Sequence, residues 1–319
     1  MCFGYLNLSA QIIEVTKFGI QPDSFADATE GGIKVIEAGK AQLQTTINFP
    51  KGRYDFWPDQ ATETNYYITN TSSEIEVPVK KQKVGLLLKG MKNVTIDGNG
   101  SIFVFHGKMI SWVLDGSEDI TIRNLSVNYE RPGMSEMTIK ETSETSVIAN
   151  VHPDSRFTIV NGRMEWYDEK WVTKNHHAVL VRPDQGMLLY SSWDPFIKSK
   201  VAVLVLLQLK FSGDFSKFKA KPGDVLTIRD RYRDYVAALN YRSKNIRLQN
   251  LHMNSMHGLG IVSQFSENLS YDSVYVEPEK GSGREIASSG DGMHFSGCKG
   301  QITIKNCRFN GMHDCMMIR

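Results

Sequence analysis

Cysteine is scarce in this chain: four residues in 319, at Cys2, Cys298, Cys307 and Cys315. No two of them have Cys-x-x-Cys spacing, which argues against a zinc site. They read as thiols packed into a core, the way free cysteine packs as a small hydrophobe, in preference to a disulfide. An excess of charge is also missing. Lys and Arg number 37 against 35 Asp and Glu, a net charge of +2. No nucleic-acid or anionic-membrane partner is expected from that balance. Long apolar runs are absent too. The run from Val201 to Leu207 is less than half the ~20 residues of a membrane span, so no membrane span is expected and the run reads as a buried strand. The first residues, through Gln11, carry neither a basic region nor a full apolar core of a signal peptide. The ending Leu8-Ser9-Ala10-Gln11 looks like the tail of a clipped leader, from which a secreted or periplasmic location is expected.

What the chain does contain is a repeat. At 93–98, 119–124, 245–250, 268–273 and 301–306 it sets apolar residues two apart and then closes on Asn, Asp, Ser or Gly. Apolar residues at alternate positions of a strand face one core. The closing residue suits a tight turn that tolerates left-handed backbone, and Asn at matching places can stack from copy to copy. From Val94 to Ile120 the interval is 120 − 94 = 26; from Ile246 to Leu269 it is 269 − 246 = 23; from Leu269 to Ile302 it is 302 − 269 = 33. A period of this size with loop insertions marks a solenoid, and strand-only repeats mark a parallel β-helix. An antiparallel sandwich also has short alternating strands. The shared phase and turn residue favour an all-β, right-handed parallel β-helix of the pectin-lyase-like type.

The phase is lost between Ile122 and Ile246. Strand-like runs at 164–167, 178–181, 201–209 and 224–228, with the turn Lys221-Pro222-Gly223-Asp224, describe an inserted β-barrel-like module. The expected organisation is an N-terminal cap and first coils over 12–130, the inserted all-β module over 131–240, and further coils over 241–319. A helix-like segment is expected between Ile12 and Gln44, and a strand over Thr46–Tyr54 with a Pro50-Lys51-Gly52 turn.

The chemistry gathers near the end. Gly290-Asp291-Gly292 and His313-Asp314 are separated by 314 − 291 = 23 residues, one repeat. Neighbouring coils lie about 4.8 Å apart, so the two aspartates should share a side of the solenoid, one rung apart. His257-Gly258 supplies a third rung, with His294 and His313 close by. Two carboxylates within several ångströms are what glycoside hydrolysis needs, one protonated and one ionised. Their mutual repulsion separates their pKa values. Either aspartate alone is as readily a turn cap; the pair, one repeat apart, points to catalysis. His257, His294 and His313 are candidate substrate contacts, or backbone-bonded turn residues. Arg231 and Arg233 are candidate donors to sugar hydroxyls, or braces for the second section of coils. Trp57, Trp112, Trp166, Trp171 and Trp193 are candidate sugar platforms.

On these motifs the chain resembles the polygalacturonase-like glycosidases, and more closely the α-1,3-galactosidases of glycoside hydrolase family 110. The resembling segments are Phe18-Gly19 with Asp23, Asn48–Gly52, Arg229–Arg233, Ser289–His294 and Gly311–Asp314. The resemblance covers nearly the whole chain, while members of that family run longer. With the chain stopping four residues after Cys315, in an apolar run, a C-terminally truncated member is expected. The resemblance implies a bacterial, Bacteroides-type enzyme that removes terminal α-1,3-linked galactose with inversion, from branched blood group B or linear glycans, with no metal or organic cofactor. It implies Asp314 as general acid and Asp291 as a carboxylate that orients water. The family carries two aspartates after the histidine; here Cys315 stands in the second place, and a thiol does not replace a water-holding carboxylate. Two other readings stand beside this one. A pectin-type hydrolase or lyase would show, for the lyase, a calcium-binding acidic cluster that the sequence does not display. A non-catalytic β-helix would be an adhesin or a carbohydrate-binding remnant.

Overall fold

The computed structural model describes residues 11–168, 171–173, 176–190, 194–230, 232–314 and 317–318. Cys2, Trp193, Arg231 and Cys315 lie outside the described residues, and so does the side chain of Trp171.

The described chain is nearly all β, as expected, and its two main sheets are built from parallel pairs. The first sheet orders the strands Gln11–Glu14, Thr45–Asn48, Lys92–Phe105, Glu118–Tyr129, Lys244–Met253, Glu267–Val276 and Lys299–Lys305. The second orders Lys81–Lys89, Ile110–Asp115, Ala238–Tyr241, Ile261–Gln264, Met293–Ser296 and Met317–Ile318, with Thr62–Asn65 antiparallel at its edge. From Lys81 onward the chain alternates between the two sheets, so each new strand is laid on the one before it in its own sheet.

The repeat read from the sequence becomes rows of paired residues. Val94 pairs with Ile120, Ile120 with Ile246, Ile246 with Leu269, and Leu269 with Ile302. The step from Ile120 to Ile246 passes over the whole insertion without a change of register. One face of each strand is largely apolar and inward: Ile96, Ile122, Leu248 and Tyr271 expose 1% or less. Each such side chain contributes roughly 1.5–3 kcal/mol by leaving water.

Two polar ladders hold one corner. Asn245 Nδ2 donates to Asp119 Oδ1 at 3.1 Å, and Asn268 Nδ2 to Asn245 Oδ1 at 3.1 Å. All three residues have positive φ, which Asn and Asp tolerate. At the same corner, two residues earlier, Ser117 Oγ donates to Leu88 O, Ser243 Oγ to Leu114 O, and Ser266 Oγ to Asn240 O, at 2.9 to 3.0 Å. Cys298 continues this serine column, its thiol 3.2 Å from Ser263 O. Cys298 and Cys307 are free and half-buried against the main core, not fully interior.

Residues Met134 to Asp230 build a different structure. Their seven-stranded sheet is antiparallel throughout, and a three-stranded sheet over 157–173 stands beside it. This module has its own core, with Ile139, Trp166, Leu209 and Phe211 at its centre. Ala238–Tyr241 already belongs to the second parallel sheet.

Two expectations need correction. The apolar run at Val201–Leu207 is not a buried strand. Lys200–Val205 is the last strand of the antiparallel sheet and exposes Val203 by 52% and Val205 by 60%, and Leu206 in the turn after it is 90% exposed. Its low polarity reflects an uncovered edge. The helix is also shorter than the segment from Ile12 to Gln44, running only over Thr29–Lys40. Positive φ at Asp23 and Phe25 blocks a helix before it, and Asp27 Oδ1 takes the Thr29 N–H at 2.9 Å to start one.

Candidate active site

Between the two parallel sheets, three turns stack on one another. Met256 bridges Ser288, and Ser288 bridges Met312, both in parallel. His257, Ser289 and His313 each follow one of these residues, so the three motifs singled out in the sequence fall on successive rungs. The Asp314 N–H donates to Gly290 O at 3.2 Å, which lays the Asp314 turn directly on the Asp291 turn. The glycines make this closeness possible. Gly258 has φ +53°, and a Cβ there would lie 1.8 Å from Tyr235 O. A Cβ on Gly290 would lie 2.6 Å from Gly258 O.

Asp291 has no exposed surface, and its Oδ2 is 2.7 Å from His294 Nδ1. Its Oδ1 and the His294 Nε2 are both out of solvent without a hydrogen-bond partner. Burial pushes the Asp291 carboxyl above the usual aspartate range, and the Asp314 charge adds to the rise. The His294 hydrogen bond and the Arg233 charge oppose it. Asp314 is exposed. The two carboxylates therefore lie in different surroundings.

His313 lies against the module. Its Nε2 is 2.6 Å from Thr227 Oγ1, and that hydroxyl is 3.0 Å from Val179 O. A carbonyl only accepts, so the hydroxyl gives its one hydrogen to Val179 and accepts from His313. His313 is thus held as the Nε2–H tautomer, and its Nδ1 is a buried acceptor without a partner. An unmet buried acceptor costs about 1–3 kcal/mol. Burial, helped by Arg229 and His177, pushes His313 down to about 3. His257 is buried, edge-on to Tyr129 at 4.2 Å, and donates from Nε2 to Gly107 O at 3.3 Å. Burial, with Lys108 adding to it, lowers His257 to about 4. Both imidazoles are neutral at pH 7.

A small solvent-open cleft lies between these turns and the module, lined in part by Lys108, Arg229, Asp230, Arg233, His257 and Ser289. The structure brings Asp291, Asp314, His294, His313, His257 and Arg233 into one neighbourhood. His294 serves Asp291 and has no exposed surface of its own. Arg231 falls outside the described residues. Trp112 and Trp166 are buried at 2% and 1% exposure, which removes them as sugar platforms. Trp57 is partly exposed and stacks on His106 at 3.8 Å.

Sequence reading missed Lys108, which pairs with Asp234 at 2.8 Å, and Thr227. Lys108 lies in no motif; Thr227 sits on a strand whose alternation shows only that it is a strand. Asp230 lay within the quoted Arg229–Arg233 segment but was given no role.

Two carboxylates on stacked parallel turns beside a cleft are the groups that glycoside hydrolysis needs. Comparison with known proteins agrees. Residues 135–226 match the family profile described as GLAA-B beta-barrel domain I. α-1,3-Galactosidase A of Bacteroides fragilis is 39% identical over 303 residues, covering 95% of this chain and 50% of that protein. α-1,3-Galactosidase B of Bacteroides thetaiotaomicron is 33% identical over 314 residues, covering 96% of this chain and 50% of that protein. A solved structure from Parabacteroides merdae aligns over 96% of each chain at 11% identity with a TM-score of 0.36, a likeness that carries no argument. The chain is similar to these α-1,3-galactosidases over nearly all of its own length, and it spans about half the length of the curated relatives it matches.

Proposed function

We propose that this chain carries the catalytic carboxylates of an exo-acting α-1,3-galactosidase that hydrolyses terminal α-1,3-linked galactose, as in the blood group B determinant, with inversion. The observation that carries the reading is the Asp291–Asp314 pair. The two aspartates lie on consecutive stacked turns, one buried and one exposed, and the charge of Asp314 raises the Asp291 carboxyl. Two neighbouring carboxyls in unlike surroundings are suited to supply an acid and a base together. The family resemblance makes Asp314 the acid. Burial and the Asp314 charge both raise the Asp291 carboxyl, which favours the opposite division.

The winding between two parallel sheets is read as a right-handed parallel β-helix with a barrel-like insertion. A secreted or periplasmic location fits a glycan substrate.

The test is galactose release from a branched B-type trisaccharide and a linear α-1,3-galactobioside, with Asp291→Asn and Asp314→Asn beside the parent. Both variants should lose about 10²-fold or more of turnover at unchanged melting temperature. On an aryl galactoside with a good leaving group, the variant lacking the acid should recover activity and the variant lacking the base should not. Undiminished turnover in both variants would sink the assignment.

A further inference from the structure

We propose that the antiparallel module positions both acidic turns, through Glu136 on one side and Thr227 on the other, so that these two are positioning residues for the Asp291–Asp314 pair. This rests on the glycosidase reading of that pair.

Glu136 lies on the module strand Met134–Thr142 and exposes 1% of its surface. Its carboxylate accepts the N–H groups of Glu285 at 2.9 Å and Ile286 at 3.1 Å, and pairs with Arg284 at 3.2 Å. Every partner is a donor, so the site is made for a carboxylate. Arg284 is itself held by Asp154 Oδ1 and Met134 O, each at 2.6 Å. Ile286 completes a small apolar cluster whose other members, Met134, Val181 and Val225, all belong to the module. The segment Arg284–Ile286 is therefore bonded and packed to the module before the chain enters the catalytic turn.

The next residues are stiffly coupled to this anchor. The N–H groups of Ala287 and Ser288 both donate to Gly311 O, at 2.6 and 3.1 Å. Ser288 Oγ donates to Asp291 O at 2.7 Å. A shift at Ile286 thus reaches Asp291 through Ser288, and reaches the next turn through Gly311. On the other side, Thr227 fixes the tautomer and place of His313, the residue before Asp314. The module grips the two turns at separate points, one each, from strands Met134–Thr142 and Val225–Asp230 that are neighbours in its sheet. Misplacing a reacting group by about 1 Å costs on the order of 10²-fold in rate.

The experiment uses Glu136→Gln and Thr227→Val in the full chain. Glutamine keeps the volume but sets an amide N–H₂ against one backbone donor. Valine keeps the shape and removes the hydroxyl. In Glu136→Gln, amide hydrogen exchange over residues 284–294 should quicken about tenfold or more, while strands Lys244–Met253 and Glu267–Val276 stay protected. In Thr227→Val, the His313 imidazole should leave the Nε2–H tautomer seen by nitrogen NMR. In a chain that releases galactose, both variants should lower kcat by roughly 10- to 100-fold with little change in KM. Parent-like exchange over 284–294 together with parent-like kcat overturns the proposal. If the parent releases no galactose, the glycosidase reading is what fails, and exchange and the His313 tautomer still decide whether the module holds the turns.

Discussion

In the stacked parallel turns, each strand is held by the strand above and below through the same row of atoms. Asn268 bonds Asn245, and Asn245 bonds Asp119; Ser266 serves Ser243, and Ser243 serves Ser117. The module is held another way. Its strands pair antiparallel, with irregular register between Ile148 and Ala149 and again between Val203 and Val205, around one aromatic-rich centre where Phe196 stacks on Phe211 at 3.8 Å. The stack divides its stability among rungs that touch only neighbours, while the module depends on a single core. A fault in a rung should therefore stay near that rung, unless it falls where rungs are in backbone contact.

Gly258 is such a place. Gly258→Ala puts a methyl group 1.8 Å from Tyr235 O, on a residue already at φ +53°. Neither backbone can give way cheaply, so a loss above about 4 kcal/mol is expected, seen as failure to fold or a collapse in melting temperature. A melt like the parent's would show that the turn bearing His257 does not press on the Tyr235 backbone as described.

Acid should strike the stack at its cleft side. His257 has a folded pKa of about 4 against 6.5 in the unfolded chain. Between those values the unfolded state binds more protons, so stability falls as pH drops from 6.5 toward 4. The loss from this one buried group is roughly 3 kcal/mol, set mainly by burial with Lys108 adding to it and Asp234 opposing. Asp291, whose pKa is raised, works the other way by giving up its unfavourable charge in acid. Urea midpoints at pH 7 and pH 4.5 measure the balance, and His257→Gln, which keeps the bond to Gly107, should flatten the pH dependence. An unchanged slope in that variant would remove His257 as its source.

How much of this was legible in the sequence divides along the same line. The stack repeats one pattern, so its strands, its Asn ladder and the nearness of Asp291 and Asp314 could be read from spacing alone. The serine column was missed, because one serine per turn at a tight corner has no signature until its partners are aligned. Cys298 looked like a core thiol for the same reason, when it occupies the next place in that column. In the module, strands could be found but not their neighbours. The bonds that matter most join residues far apart in sequence: Glu136 to Ile286, and Thr227 to His313. No local pattern encodes such pairs. The edge at Val203–Leu206 was misread because hydrophobicity reports burial only on average.

A rung away from the backbone contacts should be more forgiving. Asn245→Ala removes the bond to Asp119 and the acceptor for Asn268, and it places alanine at φ +54°. About 2 kcal/mol is expected, roughly half from the bonds and half from the backbone. Hydrogen exchange should rise in the strands containing Asp119, Asn245 and Asn268 while the module keeps its protection. Loosening of the module as well would mean that the two regions unfold as one unit.

The smallest effect tests the module against itself. Leu206 and Leu209 stand three residues apart on the same hairpin, one 90% exposed and the other 0%. Leu209→Ala opens a cavity beside Phe211 and should cost about 2–5 kcal/mol. Leu206→Ser takes away a side chain that already lies in water and should change stability by less than about 0.5 kcal/mol. If Leu206→Ser instead destabilises the chain as much as Leu209→Ala does, that edge is covered in solution. The exposed row Val203, Leu204, Val205 and Leu206 would then be a contact surface, not an open margin of the sheet.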